Sequence, residues 1–247
     1  VVAIMTNRAI VMVGVSQSRL LEPYVARFRE TFKKYACCDR IYIYDKAWPP
    51  GSPCHLECNY GFKVHAVNHA RSEGFQKILW FDSSCYAFAP LEPLWQRLER
   101  DGHVLIEDAN ALGKWSSDRS LEDFNVTRDQ AMSMRLMCGT CWGVDLTFER
   151  SRIFLDKLLS CATPENFNGT HKSRLPGLTP HPRPKTGGAA VSNDERCWGH
   201  RSDEVYSALI ANELNMKTHV GVEFIGGCGT PTETSCVRSG YDLPVTP

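Results

Sequence analysis

The stretch Lys77-Ile78-Leu79-Trp80-Phe81-Asp82-Ser83-Ser84 decides the fold. Apolar residues run unbroken from Ile78 to Phe81 and then meet an acid and two small polar residues. That is the pattern of a strand buried on both faces, delivering a carboxylate to the end of a parallel sheet. In open α/β sheets, ligands bind beyond the carboxyl ends of the strands, so Asp82 is expected where a nucleotide, a sugar or a metal would be handled. The competing reading is a plain strand-to-turn junction, since Asp and Ser are favoured turn residues.

Working outward, Ala9 to Ser16 reads as a strand and Ser18 to Tyr35 as an amphipathic helix carrying Leu21, Val25, Phe28 and Phe32. Arg40 to Asp45 is a second strand, Lys46 to Cys58 a loop rich in Pro, Gly and Cys, and Asn59 to Gly74 a helix stopped by its glycine. Past Asp82, Pro90 to Arg100 reads as a helix, Gly102 to Asp108 as a strand, Leu121 to Met134 as a helix and Leu136 to Val144 as a strand. Phe148 to Cys161 follows as a helix with Phe154, Leu155, Leu158 and Leu159 on its apolar side. Three strands thus end in acids: Asp45, Asp82 and Glu107-Asp108. The alternation predicts a single α/β, Rossmann-like domain with a mainly parallel central sheet and helices on both faces. Thr163 to Gly199 is expected to be a long loop. Ser202 to Asn215 is expected to be a helix capped by Ser202, and Lys217 to Ile225 a last strand. Gly226 to Pro247 reads as a coil over the surface.

The 247 residues are 43% hydrophobic and 23% charged, with a formal net charge of zero. That suffices for one large α/β domain or two small ones, and argues against a nucleic-acid partner held by bulk positive charge. No apolar run approaches the roughly 18–20 residues of a membrane span, and the first residues lack the layout of a secretory signal. Eleven cysteines in a chain this apolar are expected to be reduced thiols in a cytoplasmic setting. The triplets Asn125-Val126-Thr127 and Asn168-Gly169-Thr170 support the secretory lumen as the alternative. Cys138 and Cys141 have metal-type spacing, as does Cys54-His55-Leu56-Glu57-Cys58 more loosely, so a zinc-stabilised scaffold is a further alternative. Strand alternation, however, points Cys138 and Cys141 to opposite faces, which leaves buried free thiols as the expectation.

The order of elements, together with Ile78-Leu79-Trp80-Phe81-Asp82-Ser83-Ser84-Cys85-Tyr86-Ala87-Phe88-Ala89-Pro90-Leu91, resembles nucleotide-sugar glycosyltransferases of the GT-A fold. The resemblance spans roughly residues 9–225: an apolar strand, an acid motif and a following Pro-Leu helix start. Gly139 to Asp145 is similar to the family's central sugar-facing strand, and Asp203-Glu204 to its late acidic pair at a helix start. The family's Asp-x-Asp motif is degenerate here, because Ser84 stands at the second acid position, which commonly binds the divalent metal.

The resemblance implies a nucleotide-sugar-binding half over 9–108, an acceptor half over 109–225 containing loop 163–199, and a tail over 226–247. It implies transfer of a sugar from a nucleoside-diphosphate donor to a hydroxyl of a soluble acceptor: a small molecule, a protein or a hydroxylated DNA base. Gly14, Val15, Ser16, Asp45, Lys63, Asp82, Ser83 and Ser84 are the expected donor residues, with Glu107, Asp108, Gly139 and Trp142 toward the sugar or acceptor. Asp203 or Glu204 is the expected base, at a helix start where the dipole favours the ionised form. A divalent cation, Mn²⁺ or Mg²⁺, would be held by Asp82, Ser84 and His219. Cationic side chains are the alternative support for the diphosphate: Lys63, Arg71, Lys172, Arg174, Arg183 and Lys185. A DNA acceptor would call on Trp115, Arg119, Arg128 and Arg135. A nucleotide-sugar-binding module without catalysis is the alternative function.

Overall fold

The computed structural model describes residues 6–15, 21–169, 191–220, 225–226 and 236–239. Among these residues the main sheet has six strands: β1 (Arg8–Val13), β2 (Arg40–Tyr44), β3 (Lys77–Phe81), β5 (His103–Ala111), β6 (Arg135–Asp145) and β7 (His219–Val220). They lie in the order β2-β1-β3-β6-β5-β7. The β1–β2, β1–β3 and β5–β7 pairs are parallel, and β6 alone runs against its neighbours β3 and β5. Every residue of β1 is buried, as a strand covered on both faces requires.

Alternation sorts the strand residues between two cores. Ala9, Val11, Ile78 and Trp80 face a layer made by α2 (Gly61–Ser72), α6 (Glu149–Cys161) and α8 (Ser202–Glu213). Ile10, Met12, Leu79 and Phe81 face α1 (Glu22–Tyr35) and α3 (Glu92–Asp101). In the second core the Phe28 and Phe32 rings stack at 3.8 Å, and Phe32 meets Phe81 edge-on at 4.8 Å. Gly102 ends α3 at φ 78°, and a Cβ there would lie 2.7 Å from the Phe148 ring, so both the turn and the packing need glycine.

The structure corrects four expectations about elements. Leu121 to Met134 is not one helix: α4 (Asp118–Glu122) ends before Asn125, which takes φ 51°, and α5 (Arg128–Ser133) restarts behind a Thr127–Gln130 capping box. Lys217 to Ile225 is not one strand, since β7 joins the main sheet and β8 (Ile225–Gly226) a second, three-stranded one. That second sheet, ordered β4-β9-β8, contains β4 (Cys85–Ala87) and β9 (Val237–Ser239), paired antiparallel. Part of the C-terminal segment is therefore built in, with Cys236 and Val237 buried, where a surface coil was expected. Finally, Ser202 does not cap α8 but is its first residue, and its hydroxyl donates to the Phe167 carbonyl at 2.7 Å. Within the long loop, Pro164–Phe167 forms the short helix α7, while residues 170–190 lie outside the described residues, as does Ser16.

Phe32 is fully buried in the α1/α3 layer, between the rings of Phe28 and Phe81. Phe32→Ala is expected to lower unfolding free energy by about 3–5 kcal/mol, read by urea denaturation; a loss under about 1 kcal/mol would mean the cavity collapses freely.

Candidate active site

α2 connects β2 to β3, which run parallel on either side of β1, so it must run back along the sheet and starts at its carboxyl end. Its first turn carries Lys63, whose stem is buried and whose ammonium sits beside Asp82 at the end of β3. Lys63 Nζ lies 3.2 Å from Asp82 Oδ1 and 3.2 Å from Asp203 Oδ2, and donates to the Gly139 carbonyl at 2.9 Å. One ammonium thus ties together α2, β3, β6 and the first turn of α8. The Tyr60 and Trp80 rings flank it at 4.9 and 5.7 Å. Tyr60, which precedes α2, holds the left-handed backbone at φ 58°.

Gly139 is what lets these groups converge. Its N–H donates to Glu204 Oε1 at 3.3 Å, and its carbonyl accepts from Lys63 and, at 3.1 Å, from Trp80 Nε1. A Cβ on Gly139 would stand 2.7 Å from Asp203 Oδ2 and 3.0 Å from Lys63 Nζ. The approach arises from an irregularity in β6: between the pairs Leu105–Trp142 and Glu107–Met137, β5 advances two residues and β6 five. The surplus residues bulge, and a bulge re-aims side chains. It also undoes the alternation expected for the thiols, because Cys138 and Cys141 both pack against the α1/α3 core, along with Cys85 and Cys236.

The charges continue outward. Arg201 NH1 lies 3.2 Å from Glu204 Oε2 and 3.5 Å from Asp108 Oδ2, and its guanidinium stacks 4.2 Å over Trp115. Among the described residues, four carboxylates, Asp82, Asp203, Glu204 and Asp108, therefore share two cations, Lys63 and Arg201. Burial raises the pKa of Asp82 and of Asp203 despite the pull of Lys63. Burial, followed by repulsion from Asp203, pushes Glu204 up to about 7. Burial alone would lower Lys63, but Asp203, Asp82 and Glu204 outweigh it and hold the ammonium charged well above its ordinary range. Glu204 has a side chain 20% exposed, against 7% for Asp203, so Glu204 is the acid better placed to exchange a proton with something outside the protein.

The other expected residues divide. Asp45 pairs with Arg29 of α1 at 2.8 Å, and Gly14 packs so closely on α1 that a Cβ would meet Val25 Cγ2 at 2.4 Å. Both stand at the carboxyl ends of their strands with Val15, on the β1–β2 side of Asp82. Ser83 is buried next to Asp82, and Glu107 accepts from the Thr218 hydroxyl. Trp142 belongs to the core: it is 5% exposed and meets Phe154 of α6 edge-on, since the ladder is regular again beyond the bulge. Arg71 lies at the opposite end of α2 from Lys63, about 12 Å along the axis, and pairs with Asp156. Lys172, Arg174, Arg183 and Lys185 lie outside the described residues. Trp115 is buried beneath Arg201, and Arg128 donates to the Gly113 and Ser116 carbonyls, so two of the four groups expected to meet DNA are built into the fold. Arg119 is exposed beside Asp123, and Arg135 donates to the Ala109 carbonyl.

The expected metal ligands are given separate company. Asp82 faces Lys63, the Ser84 hydroxyl meets that of Ser239 at 3.2 Å, and His219 lies 3.7 Å from Asp101 and 3.3 Å from Arg97 NH1. Among the described residues no three His, Cys, Asp or Glu are grouped to hold a metal ion, the cysteines included. As arranged, these side chains do not fit the oxygen-rich, near-octahedral shell that Mg²⁺ requires.

Arg201 is the site residue that the sequence reading missed. Its signal was adjacency, since His200-Arg201-Ser202 leads directly into Asp203-Glu204. His200 anchors that entry, with Nε2 2.8 Å from the Asn166 carbonyl and Nδ1 accepting from Ser117 N at 3.3 Å.

Two outcomes test this electrostatic account. Lys63→Met leaves Asp82 and Asp203 facing each other without a counter-charge, and at neutral pH it is expected to cost about 3–5 kcal/mol. Part of that loss should be regained in acid, where the carboxyls take up protons, as read by denaturant titrations across pH. Glu204 has a folded pKa near 7, above its ordinary 4.5. The folded state therefore binds that proton more tightly, and stability from this group falls as pH rises from 4.5 through 7. Glu204→Gln should flatten that segment of the stability–pH curve; an unchanged slope would assign it to other groups.

No protein-family model matches the chain, and no curated protein matches it. Among solved structures, the apo form of mouse xyloside xylosyltransferase 1 superposes with a TM-score of 0.53 at 10% identity, over 96% of this chain and 99% of that one. A glycosyltransferase involved in glycosylation of the major capsid of PBCV-1 gives a TM-score of 0.48 at 9% identity, over 94% of this chain and 91% of that one. The likeness to the xylosyltransferase establishes a GT-A-like α/β fold spanning nearly the whole chain.

Proposed function

We propose that this chain is a glycosyltransferase that moves a sugar from a nucleoside-diphosphate donor to an acceptor hydroxyl. The observation that carries the reading is the pairing of Asp82, at the carboxyl end of the central strand, with a titratable Glu204 on one hydrogen-bonded network. In this reading Asp82 accepts hydroxyls of the donor ribose or sugar. Gly14, Val15 and Asp45 border the nucleotide half, and Glu107 and Asp108 border the acceptor half. Glu204 takes the proton from the acceptor hydroxyl, a role suited to a carboxylate whose pKa lies near working pH. Asp203, closed in by Lys63, positions the first turn of α8. Arg201, at the rim, supports negative charge developing on the leaving diphosphate.

The test is release of nucleoside diphosphate from a panel of nucleotide sugars, each with simple hydroxyl acceptors. Glu204→Gln is expected to lower turnover by roughly 10²–10⁴-fold with donor affinity little changed, and Asp82→Ala to weaken donor binding. Equal turnover in wild type and Glu204→Gln would remove the base assignment. Ser84, standing where a second acid is usual, favours one other reading, a nucleotide-sugar-binding module without catalysis. Saturable donor binding with no turnover on any acceptor would establish that instead.

A further inference from the structure

We propose that Lys63 is a resident cation that closes the Asp82 site to divalent metal. The position argues for it directly. Its ammonium is 3.2 Å from one oxygen of Asp82 and 3.2 Å from one oxygen of Asp203, the place a metal bridging those carboxylates would need. The third contact, the Gly139 carbonyl at 2.9 Å, uses the ammonium's remaining donor. Lys63 is 3% exposed and walled by Tyr60 and Trp80, so it cannot swing aside without breaking the packing of the first turn of α2. Ser84, the neutral residue at the position of a second acid, is turned to Ser239 and adds no negative charge. The acids are therefore served by a covalently attached cation, and Asp82 is left to accept hydrogen bonds from neutral hydroxyls. The consequence that a nucleotide-sugar donor is held here without metal rests on the function proposed above; the closure itself does not.

Removing the ammonium leaves Asp82 and Asp203, with Glu204 adjacent, around an empty polar position of the kind hard dications take. The experiment is a titration with Mn²⁺ alone, read by the electron paramagnetic resonance signal of the free ion, on wild type, Asp82→Asn, Lys63→Ala and Lys63→Ala/Asp82→Asn. The expected result is no saturable binding to wild type up to millimolar Mn²⁺. One site should appear in Lys63→Ala, at least roughly tenfold tighter, and it should be abolished in the double variant. Stoichiometric binding to wild type that Asp82→Asn removes would overturn the proposal, as would a folded Lys63→Ala protein with no gain. If Lys63→Ala does not fold, the wild-type and Asp82→Asn arms still decide whether the site is closed. None of these readouts needs turnover, so failure of the transferase reading and failure of the closure are separately visible.

Discussion

A single buried ammonium holds the rim of this sheet together. Lys63 reaches from the first turn of α2 to a strand end, a bulge and a helix start, and each partner comes from a different part of the chain. Burying a lysine is costly unless it is paired and fully hydrogen-bonded. Here two carboxylates and one carbonyl meet that condition. The dependence is mutual, because the same carboxylates would be uncompensated buried charges without the lysine. The arrangement is thus a constraint on geometry more than a source of stability.

That constraint shapes the chemistry around it. Lys63 is committed to Asp82 and Asp203, and burial, followed by repulsion from Asp203, moves the Glu204 pKa up toward neutrality although Lys63 pulls it down. Arg201 restrains the shift from the other side while stacked on Trp115. The acids at this rim therefore differ in kind. Asp203 is closed in beside Lys63, Asp82 is partly exposed, and Glu204 is raised toward neutrality. Perturbed acids of this sort gather where a fold handles ligands, which is why the rim is the candidate site.

The sheet was legible because its strands obey simple rules. Arg8–Val13 and Lys77–Phe81 are short apolar runs with acids or small residues after them, and burial on both faces leaves little other choice. The split of α4 from α5 was also present in the sequence, as Asn125 followed by the Thr127–Gln130 capping box. The fate of Trp142 and of the two thiols Cys138 and Cys141 was not legible. All three depend on the bulge in β6, and a bulge shifts register by the pairing of a partner strand some thirty residues away. Likewise, residues 237–239 read as coil because three residues carry no periodicity; they become a strand because β4 and β8 pair with them on either side.

By itself the sequence determined the alternation of strands and helices, the placing of Asp82 at a strand end and of Asp203-Glu204 at a helix start. These follow from local hydrophobic period and from the chemistry of element ends. Tertiary structure decided which of those acids meet, that Lys63 stands among them, and that His219 goes instead to Asp101 and Arg97. The reason is that local patterning sets which way a side chain faces along its own element. The distance between charges on different elements is fixed only when packing brings those elements within a few ångströms.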